Sequence, residues 1–332
     1  MILLLLFITA CFLAYSNGAN DNFKGVATLF GSGTTNYKKA INWATITTFS
    51  GSVTAIFLAE QLVKNFSGKG LVPNELIQTP NFAIAIALGA AITVFSATRI
   101  GMPISTTHSL VGALFGAGVM AVGSDFNFEK LGNTFLMPLI VSPLMAAILS
   151  FLAYLLLKFI RKQIPNLNTT TPTLLFGISS FKILDSLHYV SSGIVSFARG
   201  LNDTPKIVGL LIIIKTFEIE WSMISVAIVM ALGGLLNAKK VGETMSKKIT
   251  KMNSGQGFTA NMITGILVTT ASIHGLPVST THVSVGSLFG IGTVTKKADY
   301  KVIGKIVLSW ILTLPIAAIM SAIIFKVLDL LA

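Results

Sequence analysis

Two short polar strings, each present twice, interrupt a chain otherwise oily enough to live in lipid. The first reads Gly18-Ala19-Asn20-Asp21-Asn22-Phe23-Lys24 and returns as Gly200-Leu201-Asn202-Asp203-Thr204-Pro205-Lys206. The second reads Gly101-Met102-Pro103-Ile104-Ser105-Thr106-Thr107-His108 and returns as Gly275-Leu276-Pro277-Val278-Ser279-Thr280-Thr281-His282. Their order is the same in both halves, at offsets of 182 and 174 residues. The match runs on beyond the second string: Gly112-Ala113-Leu114-Phe115-Gly116-Ala117-Gly118 answers Gly286-Ser287-Leu288-Phe289-Gly290-Ile291-Gly292. Glu60 and Lys64 are echoed by Glu243 and Lys247. The chain is therefore a duplication. Whatever it folds into must bring two copies of each string to equivalent places.

Composition sets the solvent. Of 332 residues, 53% are hydrophobic and 11% charged, with a mean hydropathy of +0.79; soluble domains carry about 25% charged residues. Several apolar stretches reach the roughly 17 residues needed to cross a bilayer core. The short alternating segments of a membrane β-barrel are missing. The fold class expected is an all-α polytopic membrane protein. Residues 1–15 lack the basic start of a signal peptide and run directly into the first Asn-Asp string, so they read as a retained helix. Cys11 is the single cysteine and has no partner for an internal disulfide. The net charge of +12 reads as cytoplasmic loops rather than nucleic-acid binding.

Apolar segments fall at 2–34 with an interruption at 17–22, at 40–63, at 82–122 as two arms meeting at the second string, and at 132–160. A polar linker, 161–173, separates a first repeat, 1–160, from a second, 174–332. The second half repeats the plan at 174–198 and 205–216, 221–237, 258–294 and 304–331, with a basic loop over 239–251. If each Asn-Asp segment crosses once and each two-armed segment is a re-entrant helical hairpin, each half makes three net crossings. The second half is then inverted relative to the first. Charge tests this. Lys38, Lys39, Arg161, Lys162, Lys239, Lys240, Lys247, Lys248, Lys251, Lys296, Lys297, Lys301 and Lys305 fall on one side. Only Lys64, Lys69, Lys130, Lys215 and Lys326 fall on the other. The richer side is cytoplasmic, which puts both termini outside. The expectation is two inverted-topology repeats with broken helices and re-entrant hairpins, the arrangement that builds midplane sites in secondary transporters.

Asp21 and Asp203 are carboxylates in apolar surroundings, costly at membrane depth and functional by default. The competing role is helix N-capping. Lys24 and Lys206, one turn on, either neutralise them or snorkel away. Arg99 and Arg199 flank motifs, and either could draw in an anion or pair with a carboxylate. Ser105, Thr106 and Thr107, with Ser279, Thr280 and Thr281, bring hydroxyls and free amides to helix starts primed by Pro103 and Pro277. That is a cradle for a tetrahedral oxyanion. The alternative is that the serines and threonines merely cap the arms, with His108 and His282 as buried hydrogen-bonded side chains. The arm glycines read as packing residues. An anion will not sit beside two carboxylates unless cations stand between. Na⁺ bridging the carboxylates, or protons on them, would supply that charge and couple the fluxes. An anion channel needs no such pair of acids. An intramembrane serine hydrolase needs one nucleophile, where duplication gives two equal sets.

At these residues the chain resembles the inorganic phosphate transporter (PiT) family, which has two Gly-Ala-Asn-Asp-type strings and two Gly-x-Pro-x-Ser-Thr-Thr-His elements. The resemblance spans nearly the whole chain. It implies a symporter, not an enzyme, importing inorganic phosphate by alternating access with Na⁺ as coupling ion, or H⁺ in other members; some relatives carry sulfate. It implies that Asn20, Asp21, Asn202 and Asp203 hold Na⁺, with Asn20 and Asn202 also helping to orient phosphate. Ser105, Thr106, Thr107, Ser279, Thr280 and Thr281 would surround the anion. No other cofactor is implied, and a homo-oligomer is left open. The compact loops fit a prokaryotic plasma-membrane protein. This chain departs from the family where Asn22-Phe23-Lys24 stands for Val-Ala-Asn. It departs again where Thr48 and Met230 stand for a glutamate of vertebrate members. These departures bear on the coupling ion and its stoichiometry more than on the cargo.

Overall fold

The computed structural model describes residues 1–163, 174–175, 178–214 and 218–331. Helix α1 (Ile2–Asp21) ends on the first Asn-Asp pair, and a 3₁₀ turn (Lys24–Val26) leads into α2 (Ala27–Gly31). Helix α3 (Tyr37–Leu58) bends by 88° at Ala59 into α4 (Glu60–Phe66). After the single turn α5 (Asn74–Ile77), α6 (Pro80–Arg99) and α7 (Thr106–Val122) form a hairpin. The turn α8 (Phe128–Lys130) and a π-helical stretch (Leu131–Leu136) open α9 (Met137–Gln163). A two-residue antiparallel ladder joins β1 (Leu174–Leu175) to β2 (Ile178–Ser179). Then come α10 (Ser180–Val208), α11 (Ile219–Asn237), α12 (Lys239–Lys247), a second hairpin of α13 (Ser254–Ile273) and α14 (Thr280–Thr295), and α15 (Tyr300–Leu330). Apart from its first three residues, which close α9, the linker 161–173 lies outside the described residues.

The hairpin tips form as their sequences require. Gly101 and Gly275 adopt φ of 73° and 71°, which a side chain would resist, and end α6 and α13. Pro103 and Pro277 disfavour helical backbone at Met102 and Leu276 before them. Ser105 and Ser279 then cap α7 and α14 by accepting from the amides of His108 and His282.

Among the described residues, six helices are long and apolar enough to cross a membrane, or seven if bent α3–α4 counts. Helix α10 carries Lys182, Asp185, Arg199, Asp203 and Lys206 besides several serines, and is less apolar than the other long helices. Yet at 29 residues it is about 43 Å long, enough to span. Helix α6 is 67% buried, whereas the spans containing α9 and α15 are only 22% and 28% buried. The hairpins are therefore central and α9 and α15 peripheral. The outer residues of those two helices, such as Ile140, Leu144, Ile148, Ile311, Ile319 and Ile323, are exposed as a lipid-facing surface would be.

Three boundaries differ from the sequence expectation. The first Asn-Asp string breaks its helix later than expected, and the second does not break its helix at all. Helix α1 continues through Gly18 and breaks only after Asp21, and α10 continues through the whole second string, including Pro205, to Val208. Segment 40–63 is two helices meeting at a corner, not one. Much of the basic loop 239–251 is the amphipathic helix α12.

Packing follows the duplication. Helix α1 lies against α6 and α11, and α10 lies against α13 and α3; α7 packs on α15, and α14 on α9. Each contact of one half thus has its counterpart with the partners exchanged. Glycine allows this approach. A Cβ on Gly18 would stand 1.9 Å from the Met230 carbonyl oxygen, and one on Gly200 would stand 2.0 Å from that of Thr48. The arm glycines behave likewise, Gly116 against the Ala318 carbonyl and Gly290 against that of Ala147. The strings' glycines keep their helices straight and close rather than breaking them.

Gly116→Ala should therefore force backbone apart and destabilise by about 3 kcal/mol or more. Gly304→Ala, an exposed position on α15 with nothing within 4 Å, should be neutral or stabilising by roughly 0.5–1 kcal/mol. Thermal unfolding of the two purified variants in detergent compares them; equal melting temperatures would contradict the packing account.

Candidate functional site

Because α1 stops at Asp21, the chain turns back within three residues and returns the Lys24 side chain to the helix end. The ammonium donates to Asp21 Oδ1 at 2.6 Å, Asn20 Oδ1 at 2.8 Å, the Ile104 carbonyl at 2.7 Å and Thr281 Oγ1 at 2.7 Å. It thus joins the end of α1 to both hairpin tips. Lys206 does the same from α10. Its Nζ reaches Asp203 Oδ1 at 3.3 Å, the Val278 carbonyl at 2.7 Å and Thr107 Oγ1 at 2.7 Å. Both lysines and both aspartates are at most 4% exposed.

The two carboxylates meet at one side chain. Asn17 Nδ2 donates to Asp21 Oδ2 at 3.3 Å and to Asp203 Oδ2 at 3.2 Å. Asp21 Oδ2 also accepts from Thr106 Oγ1 at 3.1 Å. The Arg199 guanidinium lies across from them: Nη2 donates to Asn17 Oδ1, Nη1 to Asn22 Oδ1, and Nε stands 3.7 Å from Asp203 Oδ2. Arg199 is fully buried, and its Nε makes no hydrogen bond among the described residues.

The tips also grip one another. Thr107 Oγ1 donates to the Val278 carbonyl at 3.2 Å and Thr281 Oγ1 to the Ile104 carbonyl at 3.1 Å, an exchanged pair. Asn20 is fixed by Thr98 and the Met102 carbonyl, and Asn202 by Ser272, Thr280 and the Val278 carbonyl. Behind the tips His108 Nδ1 and His282 Nε2 are 3.0 Å apart, with His282 stacked on Trp310. An apolar cavity of about 540 Å³ lies beyond the histidines and is lined by neither aspartate.

Eight of the ten residues singled out from sequence thus share one connected polar cluster: Asn20, Asp21, Asn202, Asp203, Thr106, Thr107, Thr280 and Thr281. Ser105 and Ser279 cap their own helices, each hydroxyl accepting from an amide. The aspartates are not N-caps; Asp21 is the last residue of α1 and Asp203 lies inside α10. Lys24 and Lys206 neutralise rather than snorkel. Of the two arginines, Arg199 pairs with a carboxylate. Arg99 is exposed, its guanidinium 6.0 Å from the Phe95 ring.

Two consequences follow. Three basic side chains face two carboxylates, so the formal charge here is one positive. Of the positive charge that must stand between the acids and an anion, Lys24, Lys206 and Arg199 supply a fixed share. Among the described residues neither tip serine pairs with an imidazole, and the imidazoles of His108 and His282 face each other.

Comparison with known proteins agrees with this geometry. The family model described as the phosphate transporter family matches residues 17–321. The chain belongs to the phosphate transporter family. It is a transporter and not an enzyme. A protein of Pyrococcus abyssi named as a phosphate permease is 28% identical, over 98% of each chain. One of Rhizobium meliloti, named as a low-affinity inorganic phosphate transporter, is 29% identical over 98% of this chain and 96% of its own. A solved structure described as the sodium-dependent phosphate transporter superposes with a TM-score of 0.86 at 25% identity, covering both chains completely.

This phosphate transporter also has cluster residues that motif reading passed over: Asn17, Thr98 and Ser272. The signal was in the repeat itself. Asn17 and Arg199 stand 182 residues apart, the offset of the first strings, so each occupies the other's equivalent position. Thr98 and Ser272 stand at the offset of the second strings, three residues before Gly101 and Gly275.

Replacing Asp21 by Asn would leave a buried ammonium without its carboxylate, a loss of about 3–5 kcal/mol. Removing both charges, in Asp21→Asn/Lys24→Met, should recover much of it. The single variant is expected to melt well below the double one in detergent. Equal melting temperatures would mean that the pair does not act as a unit.

Proposed function

We propose that this family member imports inorganic phosphate by alternating access, coupled to Na⁺. The observation that carries the reading is the convergence of Asp21 and Asp203 on Asn17 where the two hairpin tips cross. Phosphate would enter between the tips and replace carbonyl partners with its own oxygens. The Thr107 and Thr281 hydroxyls would turn from the Val278 and Ile104 carbonyls to the anion, and the Arg199 guanidinium would face it. Asp203, Asn202 and the Asp21 oxygen that Lys24 leaves free would supply oxygens to Na⁺, whose arrival offsets the charge of the incoming phosphate. Each substrate then binds well only with the other, and that is the coupling. The tip-to-tip bonds would break on one face at a time as the halves rock about the site.

The similarity in fold to a protein described as sodium-dependent supports the choice of ion. The charge sorting supports a plasma-membrane orientation with both termini outside. Each tip also reaches the short helix of the opposite half: Thr244 on α12 donates to the Gly101 carbonyl, and Asn65 on α4 to that of Gly275. Hairpins entering from opposite sides would meet the protein in this way.

Proteoliposomes holding the purified protein should take up labelled phosphate faster under an inward Na⁺ gradient than under an equal choline gradient. Equal rates would remove Na⁺ coupling. Thr107→Ala and Thr281→Ala should each raise the phosphate KM about tenfold, the worth of one hydrogen bond to a charged group. Orientation has its own measurement. With Cys11 replaced by Ser, a membrane-impermeant maleimide applied to intact cells should label Lys64→Cys and spare Lys247→Cys. The reverse pattern would turn the protein over.

A further inference from the structure

Lys24 has more oxygen neighbours than an ammonium can serve. Four oxygens lie between 2.6 and 2.8 Å of Nζ, against three N–H donors. They are a carboxylate, a side-chain amide carbonyl, a main-chain carbonyl and a hydroxyl, the oxygen donors that hard cations take. They come from three places, the end of α1 and the two hairpin tips, and their common point is the ammonium. The residue is 3% exposed, so the charge has no route to water along its own stem. The equivalent Lys206 sits in a poorer shell, with three oxygens and its carboxylate at 3.3 Å. There the counterpart of the Asn20 oxygen, Asn202 Oδ1, accepts from Ser272 instead. A lysine held only for stability would need one good carboxylate. The Lys24 shell is built as a cation-binding site, with the ion on a leash.

We infer that Lys24 is a tethered counter-cation, its ammonium filling a place whose oxygens would otherwise take up a mobile Na⁺. The chain then moves phosphate with one coupling ion fewer than its donors could hold. This inference rests on the phosphate-transport reading for its consequence, but not for its site. Shortening the side chain in Lys24→Ala leaves Asp21, Asn20, the Ile104 carbonyl and Thr281 around a gap. Asp21 Oδ1 in that gap has then lost its ammonium and can take a cation in its place.

The test counts ions. Purified parent and Lys24→Ala proteins in lipid nanodiscs are titrated with ²²Na⁺ in the presence of phosphate. Lys24→Ala should bind about one Na⁺ more per chain than the parent, and Asp21→Asn/Lys24→Ala should lose that gain. In proteoliposomes the ratio of Na⁺ to phosphate flux should rise by about one. A binding number unchanged by Lys24→Ala overturns the inference whether or not the variant transports. If the variant folds poorly, its unfolding temperature gives a second reading. Na⁺ in place of choline should raise it by more than it raises the parent's, and an equal rise overturns the inference. Failure of the transport reading looks different. In that case the parent takes up no phosphate under any gradient, while the ion count on Lys24→Ala still stands or falls by itself.

Discussion

Everything at the centre of this molecule depends on charges that cannot reach water. Asp21, Asp203, Lys24, Lys206 and Arg199 are all buried, and a lone ion at that depth costs several kcal/mol even after relaxation. Each is tolerable only in the company of the others. Lys24 reaches from the first half to Thr281 in the second, and Lys206 from the second to Thr107 in the first. The electrostatic demand for partners is therefore also a demand that both halves be present and correctly placed.

Such placement needs close backbones, and the glycines supply them. Gly18 and Gly200, inside the very strings that carry the acids, press against the Met230 and Thr48 carbonyls. One dipeptide thus sets the helix spacing and the next pair of residues occupies the site that the spacing creates. Lipid gives no hydrophobic drive for helices to associate, so close van der Waals contact must do it. The same stretch of sequence is constrained twice, once by packing and once by charge.

This double constraint explains what could be read before the fold was known. The acids, asparagines and tip threonines were legible because buried polar residues in an oily chain stand out, and because each occurs twice. The hairpins were legible from Gly and Pro at their tips. The corner at Ala59 was not, since Ala-Glu carries no breaking signal and hydropathy continues on both sides. The uninterrupted course of α10 was hidden by the second string, whose Gly200 and Pro205 both disfavour a helix interior. The ring lacks only one main-chain N–H, and the surrounding packing holds the helix through it. Ser105 and Ser279 stayed open, because one hydroxyl pattern serves both capping and anion binding, and a hydroxyl that accepts from an amide still has a proton to donate. Lys24 and Lys206 stayed ambiguous because a lysine stem is long enough either to snorkel or to fold back.

The duplication is not exact, and its mismatches fall at the centre. Where the first half has Asn17 the second has Arg199, and the two residues touch. A perfect copy would set two guanidiniums or two amides face to face. Two guanidiniums would repel each other, and two amides would leave four charges in balance with no preference for an anion. One of each lets the amide accept from the guanidinium while donating to both carboxylates, and leaves one positive charge over. The shells of Lys24 and Lys206 differ in the same way, four oxygens against three. Arg199 is thus the unmatched charge of the cluster, held where the symmetry of the repeat is broken.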